Sequence, residues 1–341
     1  MRWHMHLLPT YFPDRDPPFD QYYQNILEQV ALAEELGWEC FWFTEHHFLQ
    51  YGGPVPNPAV MMAAAAARTA RIRLGSAISI LPLHHPVQLA EDYAMVDVAS
   101  GGRLEFGIGF GNTPLDYEAY GVPREERHPR FDEAIEIITR LWTQGKAGYE
   151  GKYWSFPEIS VYPTPVQRPH PRIWVAASAE SLRWAGEQGY DIMTVSHPFP
   201  PEVVRKATDA WREGLAAGGH DPKKRHCKLH LRVWVDNDGE RARAAAQEAI
   251  SRYDYVSGIG RVARPGAVGP QGYDWDTMLA QGRNVYGTPE ECVQGIRRTM
   301  ANFDFDVCST TFNYGGLPFA AVKQAMRLWA EEVMPAFNED T

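Results

Sequence analysis

Histidine is the side chain best suited to moving protons near neutral pH, and this chain places several of its histidines in short blocks. Glu45-His46-His47-Phe48 follows an apolar run that begins at Cys40. Side chains alternate along an extended strand, so His46 and His47 should point to opposite sides. At most one of them faces a common centre, where its imidazole would serve as a general acid or base. A structural histidine held by hydrogen bonds is the plainer alternative. His84-His85-Pro86 follows the next apolar run, and the proline biases His85 towards an extended backbone. That pair would equally well cap the helix that follows. His4-Met5-His6 has the spacing of a metal-binding pair on the first strand of a hydrolase. Such a site needs several convergent ligands. The run Arg172–Ala177 offers no histidine, although His197 lies beyond the run after it. A metal-dependent hydrolase is therefore the runner-up class.

Two runs of small residues add possible binding surfaces. Gly107-Ile108-Gly109-Phe110-Gly111 is not a dinucleotide fingerprint, because Asn112 stands where the last glycine of that pattern would fall. Its glycines permit close approach of a bulky ligand, or simply a tight turn. Ala176-Ala177-Ser178-Ala179-Glu180-Ser181 ends one strand and opens a helix. Free N–H groups and the helix dipole there would suit an anion, and Ser178 would equally serve as an ordinary N-cap.

The elements that position these residues alternate almost to the end of the chain. Strand-like runs are expected at Trp3–Leu8, Cys40–Glu45, Ile72–Ile80, Arg103–Gly109, Arg172–Ala177, Asp191–Val195, Lys228–Val235 and Asp306–Phe312. Several are apolar throughout, as parallel strands covered on both faces should be. The seventh alternates, with Leu229, Leu231 and Val233 on one face and His230 and Arg232 on the other. Between the runs lie amphipathic helices, one with a Phe131, Ile135, Ile138, Trp142 stripe and another with Val322, Met326, Trp329 and Val333. Thr288-Pro289-Glu290-Glu291 predicts a capped helix start. Gly37 and Gly189 fall where helices should stop. Eight β-α alternations predict an α/β fold, a single (β/α)8 TIM barrel with insertions, over residues 1–341. A doubly wound open sheet is the competing arrangement. Tyr149–Pro171 reads as an ordered excursion. Val256–Tyr286, glycine-rich and without strong periodicity, reads as an active-site lid loop.

The net charge of −10 disfavours a grip on nucleic acid or anionic membranes. Four cysteines without metal-type spacing, together with the lack of a signal-peptide pattern, suggest a reducing, cytoplasmic setting.

Together these blocks resemble the luciferase-like flavin monooxygenase family. The resemblance runs nearly end to end. It rests on Phe43-Thr44-Glu45-His46-His47-Phe48, on Leu74 to Pro82 with His85-Pro86-Val87, on Gly102 to Gly109, on Val175 to Ala179 and on Val285 to Cys292. It implies FMN lying across the barrel mouth at the carboxyl ends of the strands, with His46 as the catalytic histidine that assists oxygen chemistry. Glu45, Ala77, Ile78, Gly109, Phe110, Ala176, Ala177, Ser178 and Ser181 are the implied cofactor-binding positions. A non-proline cis peptide is implied at Ala77-Ile78, and the phosphate would lie against Ser178 and Ser181. Luciferase itself has a cysteine and an arginine where this chain has Gly109 and Phe110. That arginine helps hold the flavin phosphate, and Gly109 should leave extra room beside the ring.

The implied reaction is oxygenation by reduced FMN and O2 through a C4a-peroxyflavin, in a site from which water is excluded. An aromatic content of 12% points to a small apolar organic substrate. With no dinucleotide motif in the chain, reduced FMN should come from a separate flavin reductase. A homodimer is the family habit. Related members use a deazaflavin for hydride transfer, which is the first alternative. A non-catalytic flavin-binding subunit is a further class, and the intact His46 argues against it.

Overall fold

The computed structural model describes residues 1–176, 179–197, 199–258 and 274–337. In chain order its strands are β1 (Arg2–His6), β2 (Cys40–Phe43), β3 (Arg73–Ser76), β4 (Ser79–Ile80), β5 (Leu104–Gly109) and β6 (Lys146–Glu150). They continue with β7 (Ser155–Ser160), β8 (Arg172–Ala176), β9 (Asp191–Val195), β10 (Cys227–Val235), β11 (Asn284–Gly287) and β12 (Val307–Thr311). The helices are α1 (Phe19–Glu35), α2 (Pro58–Ala66), α3 (Pro86–Ala99), α4 (Pro114–Ala119), α5 (Arg127–Gln144) and α6 (Ala179–Glu187). After them come α7 (Pro201–Ala217), α8 (Gly239–Gly258), α9 (Trp275–Ala280), α10 (Pro289–Asn302) and α11 (Phe319–Leu328).

Eight parallel strands close into a ring, with helices outside. β1 lies between β12 and β2, β2 pairs with β3, and both β3 and its short continuation β4 pair with β5. β5, β8, β9, β10 and β12 complete the circuit. This is the α/β barrel expected from the alternation, and a doubly wound open sheet is excluded by the β9–β10 pairing that closes it. Two additions were not read from the sequence. β6 and β7 form an antiparallel hairpin running into the Tyr149–Pro171 excursion, and β11 extends the sheet beside the second half of β10. The stretch 256–286 is not one loop, since the end of α8, all of α9 and most of β11 fall within it. The centre of the expected lid, 259–273, lies outside the described residues.

The twofold period of a strand sorts its side chains. Along β1, Trp3 faces outward and meets Trp329 at 6.0 Å, while His4 and His6 turn into the barrel. Phe131, Ile135, Ile138 and Trp142 of α5 are buried, and Trp142 packs on Phe106 at 5.0 Å. Each such side chain contributes about 1.5–3 kcal/mol by leaving water. The Thr288 capping box forms as expected, and Gly37 and Gly189 adopt positive φ.

Barrel interiors are commonly filled by branched apolar side chains. Here His4, His6, Trp42, Glu105, Trp174 and Lys228 take that space, all of them buried. Buried polar atoms need partners. Trp42 Nε1 donates to His4 Nδ1 at 3.0 Å, and Trp174 Nε1 donates to Glu105 Oε2 at 2.6 Å.

The amino end of the barrel is fixed by Arg103, just before β5. Its guanidinium donates to the carbonyls of Ser100, Ile72, Ala66 and Thr69 and to Thr69 Oγ1, at 2.6–3.2 Å. A lysine cannot reproduce this planar fan of donors. Arg103→Lys is expected to cost about 2–3 kcal/mol, since several buried acceptors lose their partner. Thermal unfolding of the variant checks this, and an unchanged Tm would contradict it.

Candidate active site

β2 ends at Phe43, and past it Glu45 and His47 turn towards each other while His46 turns towards Tyr51. His46 is half-buried, with its ring 4.3 Å from that of Tyr51. Gly52 closes over it with φ +72°, and a Cβ there would stand 2.3 Å from His46 Cβ, so both conformation and space demand glycine. The loop is tied to the chain after β1, because the Gly52 amide donates to the Pro9 carbonyl at 2.7 Å. Tyr51 in turn meets Tyr253 of α8 at 5.2 Å. The Arg232 guanidinium lies 4.9 Å over the Tyr253 ring and binds both oxygens of Asp254, at 2.8 and 2.7 Å. The end of α8 is thereby anchored on the His46 side of the barrel.

His47 and Glu45 go elsewhere. Glu45 was expected to contact the cofactor, but both its oxygens are taken by the protein. Oε1 lies 3.1 Å from His47 Nε2 and 2.6 Å from His84 Nε2, and Oε2 accepts from the Ile80 amide at 3.0 Å. Burial opposes ionisation of this carboxyl. The charge of His84 and the hydrogen bonds from His47, His84 and Ile80 outweigh it and bring Glu45 down to about 2. His84 is raised despite its burial, because Glu45 faces it. Glu45 is thus a positioning residue that joins the end of β2 to β4. His85 stands before the first turn of α3 with an extended backbone, without a side-chain cap bond.

The half of the mouth formed by β3, β5 and β8 is built from small and apolar groups. The Ala77-Ile78 peptide is cis, as the resemblance implied, and the Ala77 amide donates to the Phe43 carbonyl at 2.7 Å. At Gly109 the expected spare room is absent. A Cβ there would lie 2.3 Å from Ile78 Cδ1 and 3.0 Å from the Ala176 carbonyl, so the glycine makes way for the protein's own neighbours. The Phe110 ring packs 4.4 Å from both His128 and Phe131 of α5. It faces the helix layer. Ser181 is half-buried in the first turn of α6, while Ala177 and Ser178 lie outside the described residues.

Arg124 and Arg127 flank Glu125 and Glu126 where α5 begins. The Tyr117 hydroxyl donates to the Phe110 carbonyl, and burial pushes it up to about 12 against the nearby charges of Arg127 and Arg124. Arg124 Nε is buried and has no hydrogen-bond partner among the described residues. Phe131 meets Trp184 of α6 at 5.7 Å, which sets the start of α5 beside the start of α6.

The other half of the mouth, from β9 round to β2, carries imidazoles. His6 and His230 lie 4.4 Å apart, and His197 is 5.5 Å from His230. Burial, with His230, Lys228 and His46 close by, holds His6 well below the usual histidine range. His6 therefore belongs to this cluster, and His4 to the Trp42 contact. Among the described residues the three ligating groups that converge are Glu45, His47 and His84, not the His-x-His pair. No local sequence pattern brings this half of the mouth together; its one signal in the sequence is the alternation of Lys228, His230 and Arg232 along β10.

A profile of the luciferase-like monooxygenase family matches residues 1–306. The chain belongs to this family. It is 28% identical to the oxygenase component of a flavin-dependent trigonelline monooxygenase from Acinetobacter baylyi, over 94% of this chain and 91% of that one. Its structure is similar to that of the monooxygenase RslO1 from Streptomyces bottropensis, with a TM-score of 0.91, 31% identity and coverage of 99% and 100%. The oxygenating constituent of 3,6-diketocamphane monooxygenase from Pseudomonas putida, in complex with FMN, shares the fold at a TM-score of 0.80 and 20% identity over 98% of both chains. No described helix is long and apolar enough to cross a membrane.

The Glu45–His84 pair makes stability depend on pH. Glu45 is depressed, so its contribution holds above its unfolded value of ~4.3 and fades as pH falls towards 2. His84 is raised, so its contribution is complete below ~6.5 and is lost as pH climbs through its folded value. The difference in Tm between wild type and His84→Gln should be largest between ~4.5 and ~6.5. Thermal melts across pH check this, and a difference that is flat with pH would contradict it.

Proposed function

We propose that this chain is the oxygenase component of a two-component system. It would take reduced FMN from a separate flavin reductase and use dioxygen to oxygenate a small organic substrate with a largely apolar body. The observation that carries this reading is the placing of His46 and of the apolar pair Ala77-Ile78 just past the ends of two adjacent parallel strands. They follow neighbouring strands, β2 and β3, whose ends are joined by the Ala77–Phe43 hydrogen bond. The name of the trigonelline relative as an oxygenase component supports a partner reductase.

The residues present fit FMN. Ala77, Ile78 and Ala176 offer an apolar flank for a flat ring. Ser181 and the free amides at the start of α6 suit a phosphate. The unpartnered Nε of Arg124, with Arg127 alongside, supplies positive donors near the position where the luciferases have their arginine. Bound FMN, once reduced, would supply the two electrons that dioxygen activation requires.

The chain's own side chains do the rest. His46 accepts or returns a proton at its imidazole, beside the reacting ring. Gly52 and Tyr51 hold that imidazole in one orientation. Tyr253, clamped by Arg232, helps to keep water from it. Glu45 sets the end of β4 against the end of β2, and thereby the spacing of His46 from Ala77-Ile78. Phe110 braces the start of α5, which Phe131 and Trp184 set beside α6.

His46→Ala should lower turnover by ~10²–10⁴-fold, the usual worth of a positioned acid–base group. Its Kd for FMN should stay close to that of wild type. Oxygen uptake with a supplied reductase measures the first, and quenching of flavin fluorescence the second. Wild-type turnover in this variant would remove His46 from the mechanism. Mixing the protein with NADH and oxidised FMN, without a reductase, should give no sustained NADH oxidation. Rapid turnover would refute the two-component reading, and substrate conversion without oxygen uptake would favour a deazaflavin hydride transfer.

A further inference from the structure

Lys228 lies on β10 with 1% of its surface exposed. Its Nζ stands 4.0 Å from the centre of the Trp42 ring and 3.4 Å from His6 Nδ1. The groups around it are His4 and His6 of β1, Cys40 and Trp42 of β2, Met193 of β9 and His230 of β10. None is an acid near neutral pH, since burial pushes the Cys40 thiol well above its usual range. Carboxylates at the barrel interior are already engaged. Glu105 binds Arg73 and Trp174, and Asp191 binds Arg172 and the His226 amide. Among the described residues Lys228 joins no ion pair.

A buried ammonium without a counter-ion is costly, so the amine either loses its proton or meets an anion. Burial brings Lys228 down to about 7, so near neutral pH it is poised between those outcomes. The route from Lys228 to the mouth is made of imidazoles. His6 touches Lys228 and stacks near His230, which lies 2.9 Å from Thr311 Oγ1 and has His197 at its other side. Burial holds both His6 and His230 well below the usual histidine range, so they offer hydrogen bonds without adding charge. Among the described residues the rim of the β3, β5 and β8 half offers Ala77, Ile78, Gly109 and Ala176, small or apolar groups.

We propose that the mouth between β9 and β2 receives an acidic oxygen of the substrate, as a phenolate, enolate or carboxylate, with Lys228 as its counter-charge acting through His6 and His230. This rests on the flavin reading, in which the isoalloxazine takes the opposite, apolar half. The substrate therefore has two ends: an apolar body and an ionisable oxygen directed to the imidazole floor. In a low-dielectric interior the attraction is little screened, so ionisation of the ligand should decide binding.

Equilibrium titration of the full chain, with oxidised FMN bound, tests this with 4-nitrophenol and its methyl ether, 4-nitroanisole. The phenol's anion is yellow and its neutral form is not, so absorbance reports both binding and ionisation. Wild type should bind 4-nitrophenol as the yellow anion, about tenfold or more tighter than 4-nitroanisole. Lys228→Met should abolish that preference while binding 4-nitroanisole unchanged. Equal affinity for the two, a colourless bound phenol, or binding of neither overturns the proposal. Should Lys228→Met fail to fold, Lys228→Gln and the colour of the wild-type complex decide. A second arm titrates reduced FMN without oxygen. Weaker reduced-FMN binding in Lys228→Met, with nitrophenol binding intact, would assign the charge to the cofactor and overturn the substrate assignment. Wild type that binds FMN in neither oxidation state refutes the flavin reading itself, whatever nitrophenol does.

Discussion

A carboxylate taken out of water must find donors where it stands, and Glu45 finds one in its own loop and two across the gap to the next strand. His47 comes from its own loop, while the Ile80 amide belongs to β4 and His84 to the segment that follows it. The attraction of these partners outweighs the cost of burial, as the strong depression of Glu45 shows. Because the carboxylate turns towards His47 and His84, the backbone between Glu45 and His47 has to send His46 the other way. One buried charge thus fixes which histidine faces the mouth and how the ends of β2 and β4 meet.

From that constraint the mouth acquires two different halves. The side of β3, β5 and β8 is lined by small residues whose missing side chains leave room for neighbouring atoms of the protein, Ile78 against Gly109 being the clearest case. The side running from β9 to β2 is a cluster of imidazoles above a buried amine. His46 stands on the second side, next to the first. On the proposed reading this division separates cofactor from substrate and leaves the proton-carrying group between them.

Much of this arrangement was legible in the sequence. The eight strands were readable because parallel strands are short apolar runs, and Asp191–Val195 was expected and found with the same ends. The opposite orientation of His46 and His47 followed from strand alternation alone. Other parts depended on contacts between distant residues, which no local pattern encodes. Nothing near Glu45 announces that His84 will neutralise it. Phe110 seemed to replace a phosphate ligand, but its ring turned to Phe131 because an aromatic side chain gains more against α5 than at a wet rim. The β6–β7 hairpin was missed because its residues are mostly exposed and leave little hydrophobic alternation. The polar floor was visible as alternation in Lys228–Val235, yet only closure of the barrel brought His6 to meet it.

The most direct test of the account is the position of the flavin ring in crystals of the chain grown or soaked with FMN. Electron density for the isoalloxazine is expected against Ala77-Ile78 with His46 in contact, and for the phosphate between the starts of α5 and α6. A ring bound away from that rim, or a rim that stays closed to FMN while the flavin sits elsewhere on the protein, would contradict it.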